Sequence, residues 1–126
     1  MSVPKIGLIT PVFEGVTLTV IDRGPGHWPG TAAPGGWGNV VIGGHRVTHT
    51  EPFLNVDQLT AGDEITFDVP DGAHYVYRVT GTEVVDNDAL WIVDQHPGFS
   101  LTLFSCHPKG SSAQRIVVRA VKVPAV

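Results

Sequence analysis

Apolar residues in this chain recur in short runs between turn signals, most of them alternating with polar neighbours. Almost nowhere do they hold the i, i+3, i+4, i+7 spacing of a long amphipathic helix, so the pattern predicts a mostly β chain. Lys5 to Ile9 reads as a first strand, and Val16 to Ile21 as a strand or a short turn of helix. Asn39 to Arg46 is an apolar strand closing on Gly43-Gly44-His45-Arg46, where paired glycines permit a bulge or the close approach of another backbone. Pro52 to Leu59 places Phe53, Leu54, Val56 and Leu59 at roughly helical spacing, which suits one or two helical turns.

Further on, Ile65, Phe67 and Val69 alternate with polar residues, Asp71-Gly72 follows, and Tyr75 to Val79 alternates again, the signature of a hairpin. That second strand continues through Thr82 to Val85, after which Asp86-Asn87-Asp88 can cap a short helix over Leu90 to Val93. Phe99 to Cys106 and Gln114 to Val123 are the last two strands, and the connection from Pro108 to Ala113 favours an antiparallel pair. Seven or eight short strands with one or two short helices predict an all-β, closed or nearly closed β-barrel, because closure removes the edges an open sheet must protect.

The stretch from Gly24 to Gly38 interrupts this pattern. Gly and Pro are so dense there that neither helix nor central strand continues through it. Its two tryptophans argue against a mere linker, and predict an ordered loop with Trp28 or Trp37 packed down.

Length adds that 126 residues have room for one domain, residues 1–126, around one core. A net charge of −4 with no run of Lys and Arg excludes nucleic acid as an expected partner. One cysteine excludes an internal disulfide and a multi-cysteine metal site. No apolar run of about 18 residues could span a bilayer, and no signal sequence opens the chain. The opening Met1-Ser2 fits equally a natural start and one fused to a domain whose leader was removed.

Candidate chemistry centres on that single cysteine, Cys106, where a strand ends beside candidate cations. As a thiolate it is a strong nucleophile. His45, at another strand end, is a possible acid/base partner, and Arg115 a fixed positive charge for an oxyanion. Arg119 shares a strand face with Arg115 by the period of two and is its rival. Competing readings are a buried structural thiol in a β-barrel peptide- or glycan-binding module, and a metal site drawn from Cys106, His107 and His45 or His49. Adjacent strand residues face opposite ways, so Cys106 and His107 share an ion only if the strand has already ended. His27, His49, His74 and His96 read as solvent-facing, and Arg23, Arg46 and Arg78 as surface charges.

Thr102-Leu103-Phe104-Ser105-Cys106, followed by His107-Pro108 and by Gln114-Arg115, resembles the cysteine-bearing strand of the sortases. Val40 to Arg46 resembles their histidine motif. Pro4 to Thr17 is similar to the family's opening strand, and Gly26 to Thr31 with Pro34-Gly35 and Gly38-Asn39 to its second loop. Cys-His-Pro and Gly-His-Arg are most similar to class E, the housekeeping sortases of high-GC Gram-positive bacteria, with class F next.

The resemblance implies a sortase-like closed β-barrel and a cysteine transpeptidase acting on a sorting signal of Leu-Ala/Pro-any-Thr-Gly type. Such an enzyme cuts between Thr and Gly and passes the acyl group through a thioester to a cell-wall amine. It implies Cys106 as nucleophile, His45 as general acid/base and Arg115 as the group stabilising the tetrahedral intermediate. Trp28, Ser105, Trp91 and His107 are the expected substrate-binding positions, and no metal or cofactor is expected. Ser105 stands where the family has Thr, and Trp28 where class E commonly has Tyr, which bears on the second residue of the signal. The partners implied are the sorting-signal peptide of secreted surface proteins and a cell-wall precursor amine. The implied location is the extracytoplasmic membrane face, through an N-terminal anchor missing from this chain.

Overall fold

The computed structural model describes residues 1–124; residues 125 and 126, the end of the expected domain, lie outside the described residues. The strands among them are β1 (Ser2–Val3), β2 (Leu8–Ile9), β3 (Phe13–Glu14), β4 (Gly26–His27), β5 (Gly38–Gly43), β6 (Glu64–Asp68), β7 (His74–Asp86), β8 (Phe99–His107) and β9 (Gln114–Lys122). They form one nine-stranded sheet in the order β2-β1-β6-β7-β9-β8-β5-β4-β3. The sheet curls into a half-barrel, so the expected β-barrel class holds with nine strands in place of seven or eight.

The extra strands are the two-residue ones, too short to show a period of two. Lys5 to Ile9 is not one strand: Pro4 opens a 3-10 turn, Pro4–Ile6, and Gly7 at φ 65 returns the chain so that Ser2 pairs with Ile9. Within the Gly/Pro-rich stretch, β4 pairs antiparallel with β5 and parallel with β3. Val16 to Ile21 resolves into the helix α1 (Leu18–Ile21), and Pro52 to Leu59 into turns ending in a 3-10 turn, Val56–Gln58. The β6–β7 hairpin and the antiparallel β8–β9 pair form as expected.

The three long central strands, β5, β8 and β9, have two apolar faces with different uses. Val40 and Ile42, Leu101 and Leu103, and Ile116, Val118 and Ala120 point one way into the core. Phe53, Val56, Leu59, Ile65 and Tyr77 close that core, each such apolar side chain contributing about 1.5–3 kcal/mol when fully buried. The other face carries Val41, Thr102, Phe104, Val117 and the residues where chemistry was expected, and the strand alternation separates the two sets.

Tyr77 ties the core to the Gly/Pro-rich loop: its hydroxyl accepts from the Gly35 amide at 2.9 Å, and burial raises its pKa. Tyr77→Phe leaves that amide without its acceptor and is expected to cost about 1 kcal/mol, read as a lower urea midpoint at unchanged slope. A raised folded-state pKa means the unfolded chain loses the phenolic proton first. Tyr77 therefore makes wild-type stability fall as pH rises above about 10, a component Tyr77→Phe lacks.

Candidate active site

Strand register delivers three side chains to one place. β5 and β8 run parallel with Gly43 opposite Phe104, so His45 and Cys106 each stand two residues further along adjacent chains. β8 and β9 run antiparallel with Cys106 directly opposite Arg115, which puts their side chains on the same face. His45, Cys106 and Arg115 all line one cavity of about 280 Å³, walled by Leu18 and Ile21 of α1 and by Trp28 and Phe104.

Glycines at the end of β5 make room for two aromatic rings. A Cβ on Gly43 would stand 2.5 Å from the Phe104 ring, and one on Gly44 2.8 Å from Phe53. Over Gly43 the Phe104 ring meets Trp28 edge-on, centroids 5.9 Å apart. A second cavity of about 150 Å³ lies on the other side of this aromatic pair, lined by Leu90, Ile92 and Val93 and sharing Trp28, Phe104 and Arg115 with the first. Trp28 is thus the packed tryptophan of the loop, while Trp37 is 66% exposed against Phe99.

Two residues lock the strand ends. The Ser105 hydroxyl is buried and donates to the Gly44 carbonyl at 2.6 Å, so it holds β8 to the histidine segment. Arg46 is a correction to the sequence reading: it is 3% exposed, not a surface charge. Its Nε donates to the Leu54 carbonyl at 2.9 Å, its Nη1 to the Cys106 carbonyl at 2.8 Å, and its Nη2 stands 3.3 Å from Asp57. A guanidinium offers the several donors that this junction uses.

His45 Nε2 lies 2.8 Å from the Asp22 carboxylate at the end of α1, an arrangement that orients the ring. Sequence reasoning missed Asp22, since nothing in the spacing links α1 to the end of β5. Arg115 Nη1 donates to the carbonyls of Ser112 and Gln114, both at 3.1 Å. Among the described residues no carboxylate pairs with Arg115, so its charge faces the cavity uncompensated.

Other expectations separate from this cluster. Arg119 shares the Arg115 face but stands four residues along, about 13 Å away. It is engaged by the Thr102 hydroxyl at 2.8 Å, by Glu83 at 3.5 Å and by the Trp91 ring. Trp91 borders a separate depression with Arg119 and Thr102, away from Cys106. His107 is still within β8 and sits 3.5 Å from Arg46, on the face opposite Cys106, so the two cannot share an ion. His27 is not solvent-facing: its ring is 13% exposed and bridges Glu14, Thr31 and the Ala32 carbonyl at 2.8–3.0 Å. Asn39, fully buried, receives the Thr102 hydroxyl at 2.8 Å and donates to the carbonyls of Ile92 and Asp94, which seats the 3-10 turn Leu90–Val93 beside the second cavity.

The family model described as "Sortase domain" matches residues 1–123. Sortase SrtE1 of Streptomyces coelicolor is 31% identical over 134 residues, covering 94% of this chain and 38% of that protein. Sortase D of Bacillus subtilis is 28% identical over 127 residues, covering 98% of this chain and 62% of that protein. The chain therefore spans less than two thirds of the length of either curated relative, 38% of one and 62% of the other. Among solved structures, a Clostridium perfringens sortase D5 transpeptidase superposes with a TM-score of 0.88 at 30% identity, over 98% of this chain and 76% of that one. Sortase A from Corynebacterium diphtheriae superposes with a TM-score of 0.89 at 27% identity, over 99% of this chain and 60% of that one.

Arg46→Lys keeps the charge but cannot reproduce the fork. It is expected to cost about 2 kcal/mol of stability, read as a lower urea midpoint, because the Leu54 and Cys106 carbonyls lose a charged donor.

Proposed function

The chain belongs to the sortase family, and on that premise we propose that it is a cysteine transpeptidase with Cys106 as nucleophile, His45 as general acid/base and Arg115 as oxyanion stabiliser. The observation that carries the reading is the single cavity lined by all three side chains, with Cys106 and Arg115 opposed across a strand pair.

The substrate is the sorting signal of a secreted surface protein, of Leu-Ala/Pro-any-Thr-Gly type, lying across the two cavities that flank Trp28 and Phe104. The Cys106 thiolate attacks the carbonyl carbon of the threonine. The carbonyl oxygen takes up the negative charge beside the Arg115 guanidinium, which is free to answer it. The tetrahedral centre collapses by breaking the Thr–Gly bond, His45 gives a proton to the departing glycine nitrogen, and a thioester remains. An amine of a cell-wall precursor then attacks the thioester, His45 accepts its proton, and the C–S bond breaks to restore Cys106. The Asp22 carboxylate on His45 Nε2 supports the orientation of the ring through both half-reactions.

Trp28, whose indole forms a wall between the cavities, and the Ser105 backbone lie along the proposed path. Similarity to sortase SrtE1 accords with class E, and the class E resemblance of Gly44-His45-Arg46 and Cys106-His107-Pro108 supports a preference for alanine at the second position of the signal. The setting proposed is the extracytoplasmic face of the cell membrane. No helix among the described residues is long and apolar enough to cross a membrane.

Steady-state cleavage of a quenched Leu-Ala-any-Thr-Gly peptide tests these roles. Cys106→Ala is expected to abolish cleavage, and His45→Ala and Arg115→Ala to lower kcat/KM by about 100-fold or more, while Arg119→Ala stays within about threefold of wild type. Cleavage surviving in Cys106→Ala would refute the nucleophile.

A further inference from the structure

Asp22, His45 and His49 form a second constellation at the rim of the cavity: one ligand atom from each lies within 4.8 Å of the others. Asp22 Oδ1 is 2.8 Å from His45 Nε2 and 3.4 Å from His49 Nδ1, so one carboxylate oxygen serves two imidazoles. The rings of His45 and His49 stack, centroids 5.0 Å apart and 23° from coplanar. His49 reaches this position with a backbone φ of 51°, a left-handed conformation uncommon for residues other than glycine.

The donors suit an ion. Bond lengths of about 2.0–2.1 Å in a tetrahedral site put ligand atoms about 3.3 Å apart, and the Asp22–His45 and Asp22–His49 separations bracket that spacing. Two imidazoles and one carboxylate select zinc-like transition metals, whereas calcium and magnesium prefer oxygen sets. Side chains of Asp22 and His49 are 40% and 49% exposed, which leaves a path for entry and room for water to complete the coordination. Arg23 does not compete for Asp22 as an ion pair; its guanidinium lies 4.7 Å over the Phe13 ring. Cys106 is not a member of the cluster.

We infer that Asp22, His45 and His49 bind one zinc-class divalent ion, and that this ion reversibly switches the enzyme off. The inhibitory half rests on the proposed acid/base role of His45. A ring whose Nε2 is bound to a metal carries its remaining proton on Nδ1 and has no lone pair left to accept another. His45 then cannot take the proton of the incoming amine, and removal of the ion restores it. Asp22 thus has two alternative uses, orienting His45 in the metal-free enzyme and sharing the ion in the metal-bound one.

The test is titration of untagged Cys106→Ala protein with Zn²⁺ by calorimetry and with Co²⁺ by visible absorption, which removes the thiol as a competing ligand. One ion per chain is expected, with the tetrahedral cobalt bands, and with affinity weakened about tenfold or more by adding His49→Ala or Asp22→Asn. Affinity unchanged by both substitutions, or no binding without the Cys106 thiol, overturns the site. This measurement needs no turnover, so it decides the site whether or not the peptide is cleaved. In the Cys106-containing enzyme, Zn²⁺ should inhibit peptide cleavage reversibly with EDTA, and His49→Ala, scored against its own metal-free rate, should need about tenfold more zinc. Equal zinc sensitivity in both proteins overturns the switch.

Discussion

The junction between β5 and β8 is the constraint on which the rest depends. These two strands are parallel, and parallel neighbours cannot be joined by a tight turn, so the alignment of their ends must be held by contacts made in three dimensions. Gly43 and Gly44 leave room for the Phe104 and Phe53 rings at the end of β5, the Ser105 hydroxyl bonds across the junction, and Arg46 clamps the carbonyl of Cys106 from the histidine side. A slip of one residue in this register would turn Cys106 to the core face and leave His45 without a partner. Arg46 costs desolvation of a guanidinium and returns a fixed distance between two strand ends.

Everything downstream of that junction uses the second face of the central strands. The core face is filled by aliphatic residues that stabilise the half-barrel, while the opposite face carries the candidate-site line: Thr102, Phe104 and Cys106 on β8 against Arg119, Val117 and Arg115 on β9. Along that line the two arginines have different partners. Arg119 is spent on Thr102 and Glu83 and belongs to the support of the Leu90–Val93 turn, whereas Arg115 keeps its charge for the cavity. Asn39 does for the turn what Arg46 does for the strand ends, filling a buried position with hydrogen bonds to separate segments.

How much of this was legible in the sequence follows from the range of each signal. Alternation along β6–β7, and the short connection between β8 and β9, are local, so those pairs could be read directly, whereas the choice of Arg115 over Arg119 rested on the family resemblance and the Cys106–Arg115 opposition came from the strand register. The meeting of His45 with Cys106 is not local: residue chemistry offered His45 as a possible partner, but nothing in the sequence order could bring the two strand ends together, and the family resemblance alone implied that they meet. Arg46 and Asp22 escaped because an arginine after Gly-His, and an aspartate beside an arginine, look like ordinary surface charges until the fold buries one and carries the other to His45. His27 escaped for the same reason: a histidine among Gly and Pro reads as exposed, yet it cross-links β3, β4 and the loop. Strands of two residues have no period to detect, so the sheet contained more strands than the pattern predicted.

The central claim is that three strand ends converge to make Cys106 an acyl-accepting nucleophile. Its most direct test is intact-protein mass spectrometry after mixing with a Leu-Ala-any-Thr-Gly peptide, first without and then with an amine acceptor. The account predicts an adduct of the acyl fragment on Cys106 that an added amine discharges with release of the amide product. A protein whose mass never changes, while the peptide still binds, would contradict it and leave a binding module with a structural cysteine.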